Sequence, residues 1–350
     1  MHAPTLRLHA RRSIGPTCPT FVVAELGQNH NGDIELAEQL VDAAAWAGAD
    51  AVKLVKRDLS SELTQASRNR RYDSAHSFGS TYGDHRRALE LPVETHLALA
   101  ARARAHGLHF VVTVCDLPSA RAFADAEVDA FKIASRDLNN LPLVRFVASL
   151  QRPLILSTGM SGWDEIDAAM RIAAEVRCPT AVLQCTSLYP TPDDQAHLRS
   201  IETLRRRYDA VVGFSDHTEG TTIATAAVAL GASIIEKHLT LDRTMKGTDH
   251  ACSAEPEELS VMIEQIRRVE RALGSAEKPL VEATAQVRRK LGRSLVTVRP
   301  LPAGTVLEES MFTLKSPGDG VAWMDRGAIV GRRLLRNFDA DETIYYHDVI

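Results

Sequence analysis

The sequence G-A-D-A-V-K, residues 48–53, ends an Ala-rich helical stretch with a glycine and begins a short apolar run. A glycine at this position can cap a helix before a strand begins. Eight such runs alternate with longer amphipathic stretches, at residues 21–24, 51–54, 109–114, 130–134, 153–156, 181–184, 210–214 and 233–237. Their apolar residues are largely continuous, as in parallel strands that are buried on both faces. The pattern predicts an α/β fold, a TIM (β/α)8 barrel, with a doubly wound sheet as the weaker alternative.

The length and the later sequence predict a second, smaller domain. The chain has 350 residues, and a barrel alone needs roughly 250. After Gly274 the helical pattern gives way to a polar segment, and residues 294–307, 312–320 and 327–335 are typical of short strands with Gly and Pro turns. We therefore expect a barrel over residues 1–275, a linker over 276–290 and a small β-rich domain over 291–350.

Composition and charge exclude several classes of partner. The formal net charge of -4 provides no basic surface for nucleic acid or for an anionic membrane. We expect no membrane-spanning helix, because no apolar run reaches about 18 residues. The N-terminus lacks the apolar core of a secretory signal. The five cysteines are scattered and form no C-x-x-C pair, which predicts reduced thiols in a cytoplasmic protein.

Polar side chains follow every predicted strand. A barrel enzyme places its chemistry at the carboxyl ends of its strands. The residues found there are Glu25, Lys53, Thr113, Lys132, Ser135, Asp137, Ser157, Ser187, Tyr189, Ser215, His217 and His238. A single serine of this kind is commonly a helix cap, and a single lysine often pairs with a surface carboxylate. Polar groups at all eight strand ends predict an active site.

The residue types divide by chemistry. The lysines and hydroxyls form a donor-rich set that suits a phosphate and a carboxylate. His217 and His238 end adjacent strands and could bind one divalent ion with open positions, such as Mn²⁺, Mg²⁺ or Fe²⁺. Glu25 and Asp137 are the carboxylates available for proton transfer or for orienting a water. The set predicts a phosphorylated anionic substrate, a metal ion and an acid/base group.

Longer motifs resemble the N-acetylneuraminate (sialic acid) synthase family. They are A-E-L-G-Q-N-H-N-G-D (24–33), G-A-D-A-V-K (48–53), K-I-A-S (132–135), L-S-T-G-M (156–160), Q-C-T-S-L-Y-P (184–190), G-F-S-D-H-T-E-G (213–220), I-E-K-H-L-T-L-D (235–242) and G-T-D-H-A-C-S-A-E-P (247–256). They cover nearly the whole chain in the family's order. Residues 71–86 look like the family's long loop over the active site, and the C-terminal region resembles its antifreeze-like (SAF) domain.

The resemblance implies an activity and a role for each matching residue. The family condenses phosphoenolpyruvate with an open-chain sugar aldehyde, here N-acetylmannosamine or a related sugar, possibly 6-phosphorylated, and releases phosphate by C–O cleavage. Lys53 and Lys132 would be catalytic and bind phosphoenolpyruvate. The same ligand would contact Thr113, Ser135, Ser157, Ser187 and Ser215. The resemblance also implies a divalent metal, Mn²⁺ first and Mg²⁺ next, on His217 and His238, and a domain-swapped homodimer.

The acceptor side of the resemblance is less regular. Glu25, Tyr189 and Asp249 match residues that face the sugar or the reacting centre, and Asp137 takes the place of a catalytic Glu. Val55, however, replaces a family glutamine.

Two further positions also depart from the family pattern. Arg136 replaces a glycine and could bind a charged group on the acceptor, such as a 6-phosphate, or could be a solvated loop arginine. Ser316 stands where some bacterial members have an arginine that reaches the sugar.

Three alternatives to a sialic acid synthase stay open at this point. The first is the same condensation on a non-sialic acceptor, and the second is a Schiff-base aldolase with Lys132 as nucleophile. The third, a sugar-binding protein without catalysis, is weaker because no binding role needs all the strand-end groups.

Overall fold

The computed structural model describes residues 4–8 and 12–350. Residues 1–3 and 9–11 lie outside the described residues. They belong to the N-terminal region in which the sequence predicts no secretory signal. The chain divides into two compact units, Met1–Gly274 and Ser275–Ile350. No helix among the described residues is long and apolar enough to cross a membrane.

The first unit contains a closed barrel of eight parallel strands, which confirms the predicted fold. The strands are β3 (Phe21–Gly27), β4 (Ala51–Lys56), β5 (His109–Val114), β6 (Ala130–Ile133), β7 (Leu154–Ser157), β8 (Thr180–Cys185), β9 (Val211–Asp216) and β10 (Ile234–His238). Each strand pairs with the next, and β10 closes the barrel by pairing with β3.

Helices and helical turns fill the connections between the strands. They are α1 (Ile34–Ala47), α2 (Leu59–Glu62), α3 (Gln65–Asn69), α4 (Tyr82–Ala88), α5 (Val93–Ala105), α6 (Leu117–Ala122), α7 (Leu141–Ser149), α8 (Trp163–Glu175), α9 (Ser200–Arg207), α10 (Thr222–Ala229) and α11 (Pro256–Leu273). The helix α1 shows why the predicted boundaries were accurate. Asp33 caps its first turn through a side-chain bond from the Leu36 amide, and Gly48 ends it in the left-handed conformation at a φ of 85°.

The barrel strands alternate between two apolar environments. Val22, Ala24 and Leu26 point outward into the large core shared with the helices. Phe21 and Val23 belong to a separate, smaller core inside the barrel. This alternation follows from the two-residue period of a strand, and it decides which residues can reach the barrel interior.

A short N-terminal hairpin packs against the interior core. It consists of β1 (Leu6–Arg7) and β2 (Ser13–Ile14), which pair antiparallel. Leu6, Leu8 and Ile14 are buried in one cluster with residues at the amino ends of the barrel strands. The hairpin therefore covers the amino-terminal end of the barrel with apolar side chains.

The second unit is small and rich in extended structure. Its elements are α12 (Ala285–Leu291), β11 (Ser294–Thr297) and β12 (Phe312–Lys315), with β11 and β12 antiparallel. A compact core is built from Leu295, Leu301, Leu307, Val321, Ile329, Leu334, Phe338 and Ile344, among others.

The helix α12 overlaps the end of the segment predicted to be a linker, 276–290. One strand prediction for this unit was wrong. The strand expected at 327–335 is absent from this described region, where a 3-10 helix, Trp323–Ala328, is followed by the isolated bridges Val306↔Arg333 and Leu334↔Val349. Gly331, at a φ of 82°, turns the chain between the helix and the bridges, so no continuous ladder forms.

Candidate active site

The carboxyl-terminal end of the barrel interior is polar. At this end of the barrel, the inward-facing strand residues are Glu25, Lys53, Thr113, Lys132, Ser157, Cys185, Ser215 and Glu236. They form the floor of a cavity of about 680 Å³. The side chains of this floor and those of the apolar interior core occupy the same inward-facing, alternate positions of the strands. The apolar side chains lie towards the amino ends of the strands and the polar ones towards the carboxyl ends.

Two buried lysines dominate the floor. Lys132 Nζ lies 3.0 Å from Glu236 Oε1, and Lys53 Nζ lies 3.6 Å from the same oxygen. Lys53 also donates to Thr113 Oγ1 at 3.1 Å and forms an ion pair with Glu25. Ser215 donates to Glu236 Oε1 at 2.9 Å. Two ammonium groups thus share two carboxylates and lie within reach of hydroxyls, which is the chemistry of an anion site.

The burial of these charges shifts their protonation. Burial, together with repulsion from Lys132, lowers the pKa of Lys53 to about 7, although Glu236 opposes the shift. Burial alone would raise the pKa of Glu236, but Lys132 and Lys53 hold it well below its ordinary value. Glu236 is therefore an anion at neutral pH, and Lys53 can gain or lose its proton there.

A β-bulge orients the Glu25 carboxylate. The pairing of β3 with β4 shifts register between Glu25 and Gly27, and the Gly27 amide donates to Glu25 Oε1 at 2.5 Å. Gly27 has a φ of 45°, and a Cβ there would lie 3.5 Å from the His238 ring. The bulge thus holds the carboxylate beside both Lys53 and His238, its partners in the register of the neighbouring strands.

The side of the cavity at the ends of β6, β7 and β8 carries hydroxyl groups. Ser135 accepts a hydrogen bond from the Gly159 amide at 2.9 Å. A Cβ at Gly159 would lie 2.6 Å from the Ser187 hydroxyl and 3.0 Å from that of Ser135, so only glycine allows this close approach. The Ser157 hydroxyl is buried without a hydrogen-bond partner among the described residues. A ligand that accepts hydrogen bonds would satisfy it.

The two predicted metal ligands lie together at the ends of β9 and β10. The rings of His217 and His238 are 5.3 Å apart, and the Tyr189 ring lies 4.1 Å from that of His217. His217 Nδ1 lies 2.8 Å from the Thr186 carbonyl, and Nε2 forms no hydrogen bond with a described residue. The Nδ1 atom of His238 is buried and has no hydrogen-bond partner in the part of the chain that the structure describes. Burial is the main reason that the pKa of His238 is lowered, so its imidazole is neutral and can donate a lone pair.

A buried ion pair fixes the strand ends that carry these histidines. Lys237 Nζ donates to Asp216 Oδ2 at 2.8 Å and to the Thr218 carbonyl at 2.5 Å. Asp216 in turn accepts from the Thr218 amide and hydroxyl. Because Asp216 and Lys237 directly precede His217 and His238, their pairing links β9 and β10 behind the site.

The segment between β4 and α5 forms the rim of the cavity. Tyr72, His76, Tyr82, His85 and the neighbouring arginines line it from this side. The His85 ring lies 4.6 Å from that of Tyr72, and the Gly247 amide is 3.3 Å from His76 Nδ1. The segment therefore contacts the loop after β10.

Comparison with known protein families matches residues 40–278 to the NeuB family and residues 292–350 to the SAF domain. The chain belongs to the NeuB family. The predicted sialic acid synthase resemblance and the C-terminal SAF domain are thereby confirmed. The chain is an enzyme, since the curated relatives of this family are sugar-acid synthases.

The relatives of this NeuB-family chain match over nearly its whole length. An N-acetylneuraminate-9-phosphate synthase from Mus musculus is 36% identical over 346 residues, covering 98% of this chain and 96% of the relative. An N,N'-diacetyllegionaminic acid synthase from Campylobacter jejuni is 34% identical, covering 93% and 98%. Among solved structures, an N-acetylneuraminic acid synthetase from Leptospira borgpetersenii has a TM-score of 0.72 at 32% identity and covers 82% of this chain and 96% of that one.

Nearly all the site residues predicted from the sequence line the cavity at the carboxyl end of the barrel. Glu25, Lys53, Thr113, Lys132, Ser135, Arg136, Ser157, Ser187, Tyr189, Ser215, His217, His238 and Asp249 all line it. Asp137 does not line it but accepts a hydrogen bond from Arg136 Nε at 3.3 Å. Burial raises the pKa of Asp137, against the opposing effect of Arg136. The catalytic role of Asp137, like the roles of the others, stays a prediction.

The sequence argument missed three charged residues that line the NeuB cavity. Glu236 joins both floor lysines, and Arg57 and Arg86 lie at the rim. Glu236 could have been found, because it stands two residues before His238 and so points to the same side of the strand. Nothing local in the sequence distinguishes Arg57 and Arg86 from surface arginines.

Proposed function

We propose that the enzyme condenses phosphoenolpyruvate with an open-chain sugar aldehyde to give a 2-keto-3-deoxy sugar acid and inorganic phosphate. One observation carries the proposal: two buried lysines share the cavity floor with hydroxyl groups, among them the unpartnered Ser157, directly beside a pair of histidines. The floor suits a small ligand that bears a phosphate and a carboxylate. The histidine pair lies where a carbonyl group would react with that ligand.

The roles of the floor residues follow from their charges. Lys53 and Lys132 bind the carboxylate and the phosphate of phosphoenolpyruvate, and the unpartnered Ser157 hydroxyl donates a hydrogen bond to the same groups. Ser215 would exchange its bond to Glu236 for one to the ligand. Binding of this dianion keeps Lys53 protonated, because it adds negative charge next to an amine whose pKa is about 7 in the free protein.

The reaction forms a carbon–carbon bond and a bond from C2 to a water oxygen, and it breaks the bond between C2 and the phosphate oxygen. The C3 carbon of phosphoenolpyruvate attacks the aldehyde carbon with the electron pair of its double bond, and the aldehyde oxygen takes up a proton. Water adds to the electron-poor C2 and loses a proton to Glu25, which lies beside Lys53 and His238. The C2–O bond to phosphate then breaks, phosphate leaves with the electron pair and takes up the proton of the C2 hydroxyl, and C2 becomes a ketone.

A divalent metal ion, Mn²⁺ or Mg²⁺, is part of the proposal. Within residues 4–8 and 12–350, no group of three or more His, Cys, Asp or Glu side chains is arranged to hold an ion. The free nitrogen atoms of His217 and His238 fit an ion that takes its remaining ligands from water and substrate. When bound, such an ion would supply positive charge that polarises the aldehyde.

The names of the relatives indicate the chemical class of the acceptor sugar but not one particular sugar. The matched synthases are named for N-acetylneuraminate 9-phosphate, N,N'-diacetyllegionaminic acid and pseudaminic acid. We infer an acetamido sugar aldehyde. Val55, which lines the cavity, adds an apolar contact there and cannot donate a hydrogen bond to the sugar.

A phosphate-release assay tests the condensation. Phosphoenolpyruvate with ¹⁸O in the bridging position, Mn²⁺ and acetamido sugar aldehydes are expected to give labelled phosphate and a keto acid. Glu25→Ala and His238→Ala are expected to abolish product with unchanged circular dichroism. Wild-type-like turnover in either variant would contradict these assignments, and unlabelled phosphate would show cleavage at the wrong bond.

The Schiff-base aldolase gives a different result with borohydride. Lys132 Nζ lies 3.0 Å from Glu236 Oε1, and an amine engaged in this ion pair has no free lone pair with which to attack a carbonyl. We expect borohydride to label neither lysine in the presence of pyruvate. A stable adduct on Lys132 or Lys53 would favour the aldolase.

We also propose a cytoplasmic, domain-swapped homodimer. The five free cysteines and the SAF domain support this assembly and location. Exposed apolar side chains at the mouth of the barrel, Met160 and Tyr189, would be covered in such a dimer. Light scattering after gel filtration should give a mass near twice 38.3 kDa, and a monomer would contradict the proposal.

A further inference from the structure

The loop that follows β8, from Thr186 to Thr191, is joined to His217 at both of its ends. At its start, the Thr186 carbonyl lies 2.8 Å from His217 Nδ1. At its end, the Thr191 amide donates to the His217 carbonyl at 2.8 Å. The cavity residues Ser187 and Tyr189 lie between these two contacts. The position of the loop and that of the His217 ring therefore depend on each other.

The Thr191 side chain closes this loop from behind the cavity. Thr191 is 4% exposed and is not one of the residues that line the cavity. Its hydroxyl oxygen lies 2.8 Å from the Leu188 carbonyl and 3.1 Å from the Thr186 carbonyl. The single hydroxyl hydrogen is shared between these two acceptors in a three-centre bond. Thr191 thus holds the same carbonyl that faces His217.

The Thr186 carbonyl determines which ring nitrogen of His217 carries the hydrogen. A neutral imidazole has one N–H group, and a carbonyl oxygen can only accept a hydrogen bond. The contact of 2.8 Å therefore assigns the hydrogen to Nδ1 and a lone pair to Nε2. Since Nε2 forms no hydrogen bond with a described residue, it is the nitrogen that can bind a cation.

A second neighbour of Nδ1 favours the opposite tautomer. Cys185 Sγ lies 3.9 Å from His217 Nδ1. A thiol is a weak donor, and it can donate to Nδ1 only when this atom carries the lone pair and Nε2 carries the hydrogen. The contact with the Thr186 carbonyl is the shorter of the two, so the Nδ1–H tautomer is favoured. A displacement of that carbonyl would leave the thiol as the partner of Nδ1.

We propose that Thr191 is a positioning residue, whose hydroxyl holds the Thr186 carbonyl against His217 Nδ1 and so keeps the lone pair of Nε2 available for the divalent cation. This inference rests on the proposed function, since it takes His217 as a ligand of the cation. A carbonyl that accepts the second N–H of a metal-binding histidine fixes its tautomer, and loss of such a partner typically lowers metal affinity about 10- to 100-fold.

Calorimetry with Mn²⁺ and no substrate measures the effect on cation binding. Thr191→Val removes the hydroxyl and keeps nearly the same shape. We expect it to weaken Mn²⁺ binding by about 10-fold, the lower end of the usual range, because Thr191 acts through the Thr186 carbonyl. Thr191→Ser retains the hydroxyl and should bind Mn²⁺ with an affinity close to that of the wild type.

The matched control is Thr180→Val at the other end of β8. Thr180 is the first residue of this strand, and its hydroxyl donates to the Cys178 carbonyl at 2.9 Å. Both valine variants lose one hydroxyl hydrogen bond and should remain folded. Only Thr191→Val should lose Mn²⁺ affinity. Its kcat should approach the wild-type value as Mn²⁺ is raised, because cation binding shifts the population to the tautomer that it requires.

Solid-state ¹⁵N NMR of protein with labelled histidine rings reports the tautomer without any metal. At about pH 9, above the ordinary histidine pKa, the rings are neutral. The chain has 13 histidines, and the signals of His217 are identified by their loss in His217→Asn. We expect the Nδ1–H form in the wild type and in Thr191→Ser, and a shift towards the Nε2–H form in Thr191→Val. Adding Cys185→Ala to Thr191→Val should reverse this shift, because it removes the competing donor.

Several outcomes would overturn the inference. They are a wild-type Mn²⁺ affinity in Thr191→Val, an equal loss of affinity in Thr191→Ser or Thr180→Val, and a loss of affinity in Thr191→Val with an unchanged tautomer. A shift that persists after Cys185→Ala would overturn the role given to the thiol. Failure of the proposed function looks different: the wild type would bind Mn²⁺ no better than His217→Asn, while the tautomer would still change in Thr191→Val.

Discussion

Replacing Glu236 by glutamine removes the one carboxylate that both floor lysines contact. Glu236 Oε1 lies 3.0 Å from Lys132 Nζ and 3.6 Å from Lys53 Nζ, and all three side chains are almost completely buried. Lys53 keeps Glu25 as a partner, whereas Lys132 has no other described carboxylate within ion-pair distance. Glu236→Gln therefore leaves one buried ammonium unpaired while conserving side-chain volume.

Two figures give the size of the expected loss of stability. Removing one partner of a buried ion pair typically costs about 3–5 kcal/mol. Releasing a proton from a lysine with an ordinary pKa at pH 7 costs about 4.6 kcal/mol, which lies in the same range. We expect a loss of about 3–5 kcal/mol, which lowers Tm by roughly 6–10 °C at about 2 °C per kcal/mol for a chain of this size.

The loss should depend on pH and on added anions. If the folded variant neutralises its unpaired amine at pH 7, its unfolded state binds the extra proton, and its stability rises with pH towards about pH 10. The gap between variant and wild type should therefore narrow in alkali. Inorganic phosphate should stabilise the variant more than the wild type, because it replaces the missing negative charge.

Urea unfolding at pH 7 and pH 9.5, with and without phosphate, measures these effects. The matched control is Glu202→Gln, which removes an exposed carboxylate 2.5 Å from Arg206 and should change stability by less than about 1 kcal/mol. If Glu236→Gln is as stable as the control and responds no more strongly to phosphate than the wild type, the carboxylate does not hold the lysines, and the description of the floor is wrong.

Three further predictions concern other parts of the barrel. The kcat/KM for phosphoenolpyruvate should fall as the pH rises through about 7, since burial lowers the pKa of Lys53 to that value and binding needs the ammonium; Lys53→Arg should move the fall to higher pH, and an unchanged pH profile would exclude Lys53 as its origin. Ile14→Ala in the N-terminal hairpin should lower the free energy of unfolding in urea by about 2–5 kcal/mol, because the side chain is fully buried. Ile34→Ala, at a 47% exposed position, should lower it by under about 0.5 kcal/mol. Equal losses in the two variants would mean that the hairpin does not pack against the barrel in solution. Gly213→Ala should lower Tm by several degrees, because the new Cβ would lie 2.5 Å from the Ile234 carbonyl oxygen; a wild-type Tm would contradict the tight contact between β9 and β10.

The barrel could be predicted from the sequence because its signals are local. Each buried strand is a short apolar run, and each helix has its own periodicity and caps, as Asp33 and Gly48 show for α1. The rule that parallel strands place their carboxyl ends together then located the lysines, hydroxyls and histidines of the cavity without any knowledge of distances.

The remaining features depend on contacts between distant residues. Glu236 was missed because only His238 was considered at the end of this strand, although Glu236 stands two residues before it and points to the same side. Arg57 and Arg86 lie in a long connection whose path is set by contacts such as that of Arg86 with Gln28, 58 positions away. The expected strand at 327–335 failed because its pairing is limited to single bridges with residues far along the chain.

The alternation of side chains along the barrel strands has a consequence for how this enzyme can change. Inserting or deleting one residue within a strand would turn Lys53 or Lys132 towards the helices and bring apolar side chains into the cavity, which would remove the binding floor and disrupt the core together. The connection from β4 to α5 has no such constraint, because its side chains do not alternate between the two faces of a strand. New acceptors are therefore expected to arise through changes in length and sequence around Arg57 and Arg86, while the strands that hold the floor tolerate substitution but not insertion.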